Sequence, residues 1–204
     1  MTITETRATG AALLDRLELT KRLVSLLRNE EAVVGGIGNS SFDLFGAGHR
    51  PQNFYMLGSM GLAVPIGLGI ALAQPERQVV VLEGDGSLLM NLGALSTVAM
   101  VSPSNLTIVV WDNGVYKMTG AQPTATQYGS DLVAAARAAG VEHSLWARHE
   151  EHFEDLVLRA LRRPAPALIG VRVTPAASDS HPDFDTVRLK YRFMAGIGVA
   201  GADR

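Results

Sequence analysis

The chain has 204 residues, 47% of them hydrophobic and 19% charged, enough for one sizeable core and too apolar for a disordered polymer. It carries 18 Lys and Arg against 20 Asp and Glu, and this formal charge of −2 gives no electrostatic reason to expect nucleic acid or an anionic membrane as partner. Cysteine is absent, which excludes disulfides, thiolate zinc sites and iron–sulfur clusters held by this chain, and is compatible with a cytoplasmic protein.

No apolar run approaches a membrane span, and the polar stretch Met1 to Thr9 lacks the apolar segment of a signal peptide. It reads as a flexible N-terminus, followed by one domain over 10–175 and an extension over 176–204. Ala11 to Asn29 predicts an amphipathic helix, with Leu13, Leu14, Leu17, Val24 and Leu27 at helical spacing. Ala32-Val33-Val34 predicts a short strand. The loop Gly35-Gly36-Ile37-Gly38-Asn39-Ser40-Ser41 follows, with a helical start at Phe42. Such a loop can seat a phosphate, because small residues let backbone N–H groups approach an anion at a helix start. Equally, Asn39 or Ser40 could simply cap the helix.

Asn53 to Leu57 predicts a strand ending in Gly58-Ser59-Met60-Gly61. A helix rich in small residues runs from Leu62 to Ala73, and its composition implies close packing against another helix or a subunit. Gln78-Val79-Val80-Val81-Leu82 is unbroken and β-branched, as expected of a parallel strand buried on both faces. It leads directly into Gly84-Asp85-Gly86-Ser87 and then a helical pattern over Leu88 to Leu95. The turn therefore sits at the carboxyl end of a strand, where open α/β sheets bind ligands. Asp85 supplies a hard oxygen of the kind Mg²⁺ prefers, and Ser87 could cap the helix or donate to phosphate. Leu106 to Trp111 repeats the strand pattern and ends in Asp112-Asn113-Gly114, where Asn113 offers an amide oxygen and the turn exposes main-chain carbonyls. Two neighbouring strand ends could thus share one ion and one diphosphate.

The loop Gly114 to Thr124 could wall a substrate pocket or be an ordinary surface loop. Further helices are predicted over Ser130 to Ala139 and Glu150 to Arg163, and strands over Val141 to Ala147 and Ala167 to Val173, with Trp146 buried. Tyr191 to Ile197 is a candidate short docking segment. Repeated strand–helix units predict an α/β fold, a doubly wound parallel sheet with helices on both faces. A dinucleotide-binding fold would read similarly, but the pattern begun by Gly36 and Gly38 is broken by Phe42 and not completed by Ser41.

From Gly58 to Thr124 the text resembles the thiamine diphosphate (ThDP)-binding domain of the phosphonopyruvate and sulfopyruvate decarboxylase family. The resemblance is carried by Gly-Ser-Met-Gly at 58–61, Gly-Asp-Gly-Ser-Leu-Leu-Met at 84–90, Asp-Asn-Gly-x-Tyr at 112–116 and Thr-Gly-x-Gln-Pro-Thr at 119–124. It implies a thiamine diphosphate and Mg²⁺ site. Asp85, the Asn113 side chain and the Val115 carbonyl would be the metal ligands. Asn39, Ser40, Gly84, Gly86, Ser87, Val115 and Tyr116 would lie on the cofactor. Gly58 and Ser59 would cup its aminopyrimidine, and Met60, otherwise core filler, would wedge between its rings. The family's activating glutamate belongs to a separate pyrimidine-binding domain for which this chain has no room, so no catalytic residue is assigned here.

The resemblance accordingly implies a β subunit of a split 2-oxo acid decarboxylase, paired with a pyrimidine-binding α subunit in an αβ pair or an α2β2 assembly. A carboligase or synthase subunit with the same cofactor, a 2-oxo acid oxidoreductase β subunit and a non-catalytic regulatory module are the alternatives. The lack of cysteine disfavours the oxidoreductase, and intact Asp85 and Asn113 disfavour the regulatory module. The five histidines read as surface residues, with His49 and His181 as candidate relays. Arg50 is a candidate partner for a sulfonate or phosphonate.

Overall fold

The computed structural model describes residues 13–201; the segment Met1 to Thr9 and the first two residues of the expected first helix lie outside them. Six strands form one parallel sheet: β1 (Ala32–Gly35), β2 (Asn53–Tyr55), β3 (Val79–Gly84), β4 (Leu106–Asp112), β7 (His143–Trp146) and β8 (Ala167–Arg172). Their order is β2-β1-β3-β4-β8-β7. A separate antiparallel hairpin pairs β5 (Val115–Tyr116) with β6 (Gln122–Pro123).

The unbroken apolar strands are buried on both faces, as their composition requires. Successive side chains alternate across a strand, so Val79 and Val81 enter one core while Val80 and Leu82 enter the other. Likewise Ile108 and Val110 face one side, Val109 and Trp111 the opposite one. Each fully buried aliphatic side chain contributes roughly 1.5–3 kcal/mol relative to an exposed one. The first core is covered by α3 (Ala63–Ala73), α4 (Asp85–Met90), α5 (Ala94–Val101) and α6 (Leu132–Ala138). The second is covered by α1 (Arg16–Leu26), α2 (Asn39–Ala47) and α7 (Glu150–Arg162). At Gly67 the small-residue helix α3 approaches β3 so closely that a Cβ would collide with Val81.

The tail forms more than a short docking segment. It makes an eleven-residue helix, α8 (Thr186–Gly196), capped by Asp185 and packed on the sheet edge, with the Phe54 and Phe193 rings 5.2 Å apart. Covering β2 in this way removes an exposed strand edge.

Three further differences from the sequence reading have local causes. Helix α2 begins at Asn39 rather than Phe42, because Gly38 takes φ 71° and caps the helix with its backbone alone. The pattern over Leu88 to Leu95 is two helices, broken where Asn91 turns its amide to the Gly61 carbonyl at 2.9 Å. The loop after Asn113 folds back as the β5–β6 hairpin, whose two-residue strands are too short for a periodicity signal.

The chain runs from β1 outward to β2 and then returns to the other side of β1 to form β3. The strand order therefore reverses between β1 and β3, and the crevice at their carboxyl ends is the topological switch point of the sheet. Among the described residues no helix is long and apolar enough to cross a membrane.

Candidate functional site

Because β1, β3 and β4 are adjacent, their carboxyl-end loops lie side by side over the switch point. They enclose a cavity of about 150 Å³. Its walls bring together Asn39 and Ser40 from the first loop, Gly84 to Ser87 from the second, and Asn113, Val115 and Tyr116 from the third, with Met60 alongside. Gly58 and Ser59 do not reach it; they border a neighbouring groove beside β2 and α8.

Asp85 opens α4 and is buried. Its Oδ2 accepts the Thr124 hydroxyl at 2.5 Å and lies 3.1 Å from that of Thr126. Thr126 in turn donates to Asp112 Oδ1 at 2.8 Å, and Arg172 approaches Asp112 Oδ2 at 3.4 Å. Burial pushes the Asp85 carboxyl above its usual range, the Thr124 bond opposes this, and the nearby Asp112 charge adds to it. A buried, ionised Asp85 is therefore an anion short of positive charge.

The other oxygen donors lie on the next strand end. Gly114 takes φ 73°, and this turn lets Asn113 Oδ1 accept the Val115 N–H at 2.9 Å. Val115 stands opposite Pro123, and the flanking bond runs from the Thr124 N–H to the Gly114 carbonyl. Val115 is thus a non-hydrogen-bonded position whose carbonyl is left off the ladder. One carboxylate, one amide oxygen and one carbonyl are hard donors suited to Mg²⁺, and a divalent cation would offset the desolvation of Asp85. Among the described residues no cluster of three His, Asp or Glu forms an alternative cage.

The anion-facing side is equally open. Neither α2 nor α4 has a side-chain cap, so first-turn N–H groups of α2 face the loops without a side-chain acceptor. A Cβ on Gly84 would meet nothing within 4 Å, whereas one on Gly86 would collide with the Tyr116 ring. The Tyr116 ring therefore lies close against the backbone of the turn. The Asn39 Oδ1 atom accepts from Ser178 N at 3.1 Å, which leaves its NH₂ group as the end available to a ligand. Ser87 does not cap α4: its oxygen accepts the Gly61 N–H at 2.8 Å, tying the 58–61 loop to the second strand end. Ser59 holds a left-handed φ of 66° in that loop.

Several participants carried no usable sequence signal. Thr124 and Thr126 act across about forty residues of chain, and only their i, i+2 spacing after Pro123 hinted at paired hydroxyls. Arg16, Lys117 and Met118 also line the cavity. Glu83 is buried behind the turn, where burial raises its carboxyl to about 7 while Ser87 and backbone N–H groups oppose the rise. Its Oε1 accepts the Gly84 N–H at 3.0 Å and would lie 2.7 Å from a Cβ on Gly36.

Arg50 is not at the site. It is buried and bonded to Asn29, Asn53 and the Glu31 carbonyl, so it has no fork to spare for a substrate anion. His49 contacts Tyr55 and Arg192, and His181 stacks on Phe184, both away from the cavity walls.

The architecture defines a doubly wound α/β protein whose ligand crevice is built from glycine turns and hard oxygen donors at a switch point. The chain belongs to the thiamine pyrophosphate enzymes, matching the model of their C-terminal TPP-binding domain over residues 36–171. Sulfopyruvate decarboxylase subunit beta of Methanocaldococcus jannaschii is 39% identical over 89% of this chain and 96% of that protein. Phosphonopyruvate decarboxylase of Streptomyces viridochromogenes is 38% identical over 92% of this chain, and the chain spans 47% of it. Among solved structures, the thiamine diphosphate-dependent 4-hydroxybenzoylformate decarboxylase of Rhodococcus jostii RHA1 matches with a TM-score of 0.69 and 28% identity, over 83% of this chain and 34% of that one.

Proposed function

We propose that the chain is the β subunit of a cytoplasmic, split ThDP- and Mg²⁺-dependent decarboxylase acting on a short anionic 2-oxo acid. One observation carries the reading: the chain matches 96% of a protein named as a sulfopyruvate decarboxylase beta subunit, but only 47% of the longer phosphonopyruvate decarboxylase. The remaining half would be a pyrimidine-binding α subunit, giving an αβ or α2β2 assembly. Residues 10–175 would form the diphosphate-binding domain, with 176–204 as an extension.

In this reading Asp85, Asn113 Oδ1 and the Val115 carbonyl hold Mg²⁺. Asn39, Ser40, Gly84, Gly86, Ser87 and Tyr116 line the diphosphate. Gly58 and Ser59 would lie against the aminopyrimidine at the seam with the partner, and Met60 would pack between the cofactor's rings. When bound, the cofactor supplies an electron sink for the pair released as CO₂ departs. The chain's own contribution is positional. Thr124 keeps Asp85 Oδ2 engaged so that its second oxygen has one direction, Thr126 ties down Asp112 beside it, and Tyr116 closes water from the turn beside Gly86.

The test is CO₂ release from sulfopyruvate, phosphonopyruvate and pyruvate by the chain mixed with its partner. Preference for an acid bearing a sulfonate or phosphonate is expected. Activity on pyruvate alone would reject the substrate class, and a condensed product appearing only with an added acceptor aldehyde would point to a carboligase.

A further inference from the structure

Arg16 stands in the first turn of α1, near the carboxyl edge of the sheet, where the preceding Leu14 pairs with Val173 just beyond β8. Its side chain is only 3% exposed, an uncommon position for a guanidinium. Nε donates to Asp43 Oδ2 at 2.6 Å, and Nη2 donates to the Ala176 carbonyl at 3.0 Å. Among the described residues Nη1 has no hydrogen-bond partner, and the residue lines the cavity between the three strand ends. Asp43 and the 174–180 strap fix the plane of the guanidinium, leaving one edge of the fork uncommitted.

Trp111 lines the same cavity. It is 2% exposed and its ring packs on Phe153 at 5.6 Å, yet its indole N–H is buried without an acceptor. An orphaned buried donor costs on the order of a lost hydrogen bond, and native proteins rarely leave one without a reason. Here two residues far apart in sequence, each with an uncommitted donor, line one small cavity. The indole N–H lacks an acceptor and Arg16 has donor capacity to spare, and an anion would serve both.

We propose that Arg16 and the Trp111 N–H form an additional hold on the terminal phosphate of the bound diphosphate, with Asp43 as the positioning residue for Arg16. The inference rests on the cofactor reading above. The metal offsets only part of the charge of a diphosphate, and a buried guanidinium held in one plane is well suited to the remainder.

Calorimetric titration of the full chain with pyrophosphate and Mg²⁺ tests this, using wild type, Arg16→Met, Trp111→Phe and Asp85→Ala. Loss of a charge-assisted bond predicts about ten- to a hundred-fold weaker binding for Arg16→Met, and about tenfold for Trp111→Phe. Near-ultraviolet circular dichroism verifies the fold of each variant. Trp111→Phe removes the N–H together with part of a buried ring, so its unfolding midpoint is measured beside its affinity, and as a folded variant it decides the matter if Arg16→Met proves unstable. Binding lost in Asp85→Ala but unchanged in the Trp111 variant and in any folded Arg16 variant overturns the proposal and leaves the cofactor reading standing; Arg16 is then only a structural link between α1, α2 and the strap. A wild-type chain that binds neither magnesium pyrophosphate nor ThDP, alone or with its partner, overturns both.

Discussion

The hydroxyl of Thr124, on the far side of the hairpin, donates to Asp85 Oδ2 at 2.5 Å. One bond thereby couples the loop after β4 to the turn after β3 and fixes the rotation of a buried carboxylate. The wall of the site and its candidate metal ligand are a single unit, so disturbing either should be felt at the other.

Thr124→Val keeps the shape of the side chain and removes its donor. Asp85 then loses the bond that most opposes the effect of burial. The variant should need about tenfold more Mg²⁺ to retain ThDP, the equivalent of one hydrogen bond to a charged group. A magnesium titration of cofactor retention measures this, and an unshifted midpoint would show that Asp85 is oriented without Thr124.

Gly86→Ala should improve local helix propensity yet harm the site, because a Cβ there collides with the Tyr116 ring. The hairpin must move outward. The expected signature is weaker ThDP binding with an unfolding midpoint within a few degrees of wild type. A crystal structure of the variant with Tyr116 unmoved would dismiss the contact as a constraint.

Glu83 gives the apo chain a pH dependence whose sign is fixed. Burial raises its folded-state value to about 7 from the ordinary glutamate value of 4.5. Below 4.5 both states hold the proton. Between 4.5 and 7 the unfolded chain releases it while the folded chain keeps it, so stability falls as pH rises through this window. The loss amounts to about 3 kcal/mol for a shift of this order. Asp85 is raised too and pulls in the same direction, so the Glu83→Gln variant isolates the Glu83 share. Urea unfolding at pH 5 and pH 8 should show a shallower fall for Glu83→Gln, and identical slopes in the two proteins would be evidence against it.

At Gly67 a Cβ would meet the Val81 side chain in the middle of the sheet. Gly67→Ala should destabilise by roughly 1–3 kcal/mol, the range for overpacking, despite alanine's better helix propensity. Thermal unfolding measures it, and a more stable variant would mean that α3 can lift from β3 freely.

How much of this was readable from the text follows from the range of each interaction. The strand runs at 79–82 and 106–111 declare themselves, since a stretch buried on both faces must be apolar throughout. The Gly-Asp-Gly turn and Asn113 were visible because strand ends and ligand chemistry coincide there. The helix boundary at Asn39 is set by a positive-φ glycine cap, which residue type alone does not reveal. The break at Asn91 depends on a partner thirty residues upstream. The Thr124–Asp85 and Arg16–Asp43 links join residues 39 and 27 positions apart, and only the folded sheet brings them together.

The assignment of Asp85 as the ligand that joins metal to diphosphate is tested most directly by the cofactor content of Asp85→Ala, purified with its partner in excess Mg²⁺. Loss of ThDP is expected, with an unfolding midpoint equal to or above that of the wild-type apo protein, since the variant also removes a buried carboxylate. Full, magnesium-dependent retention of ThDP in that variant would place the metal elsewhere.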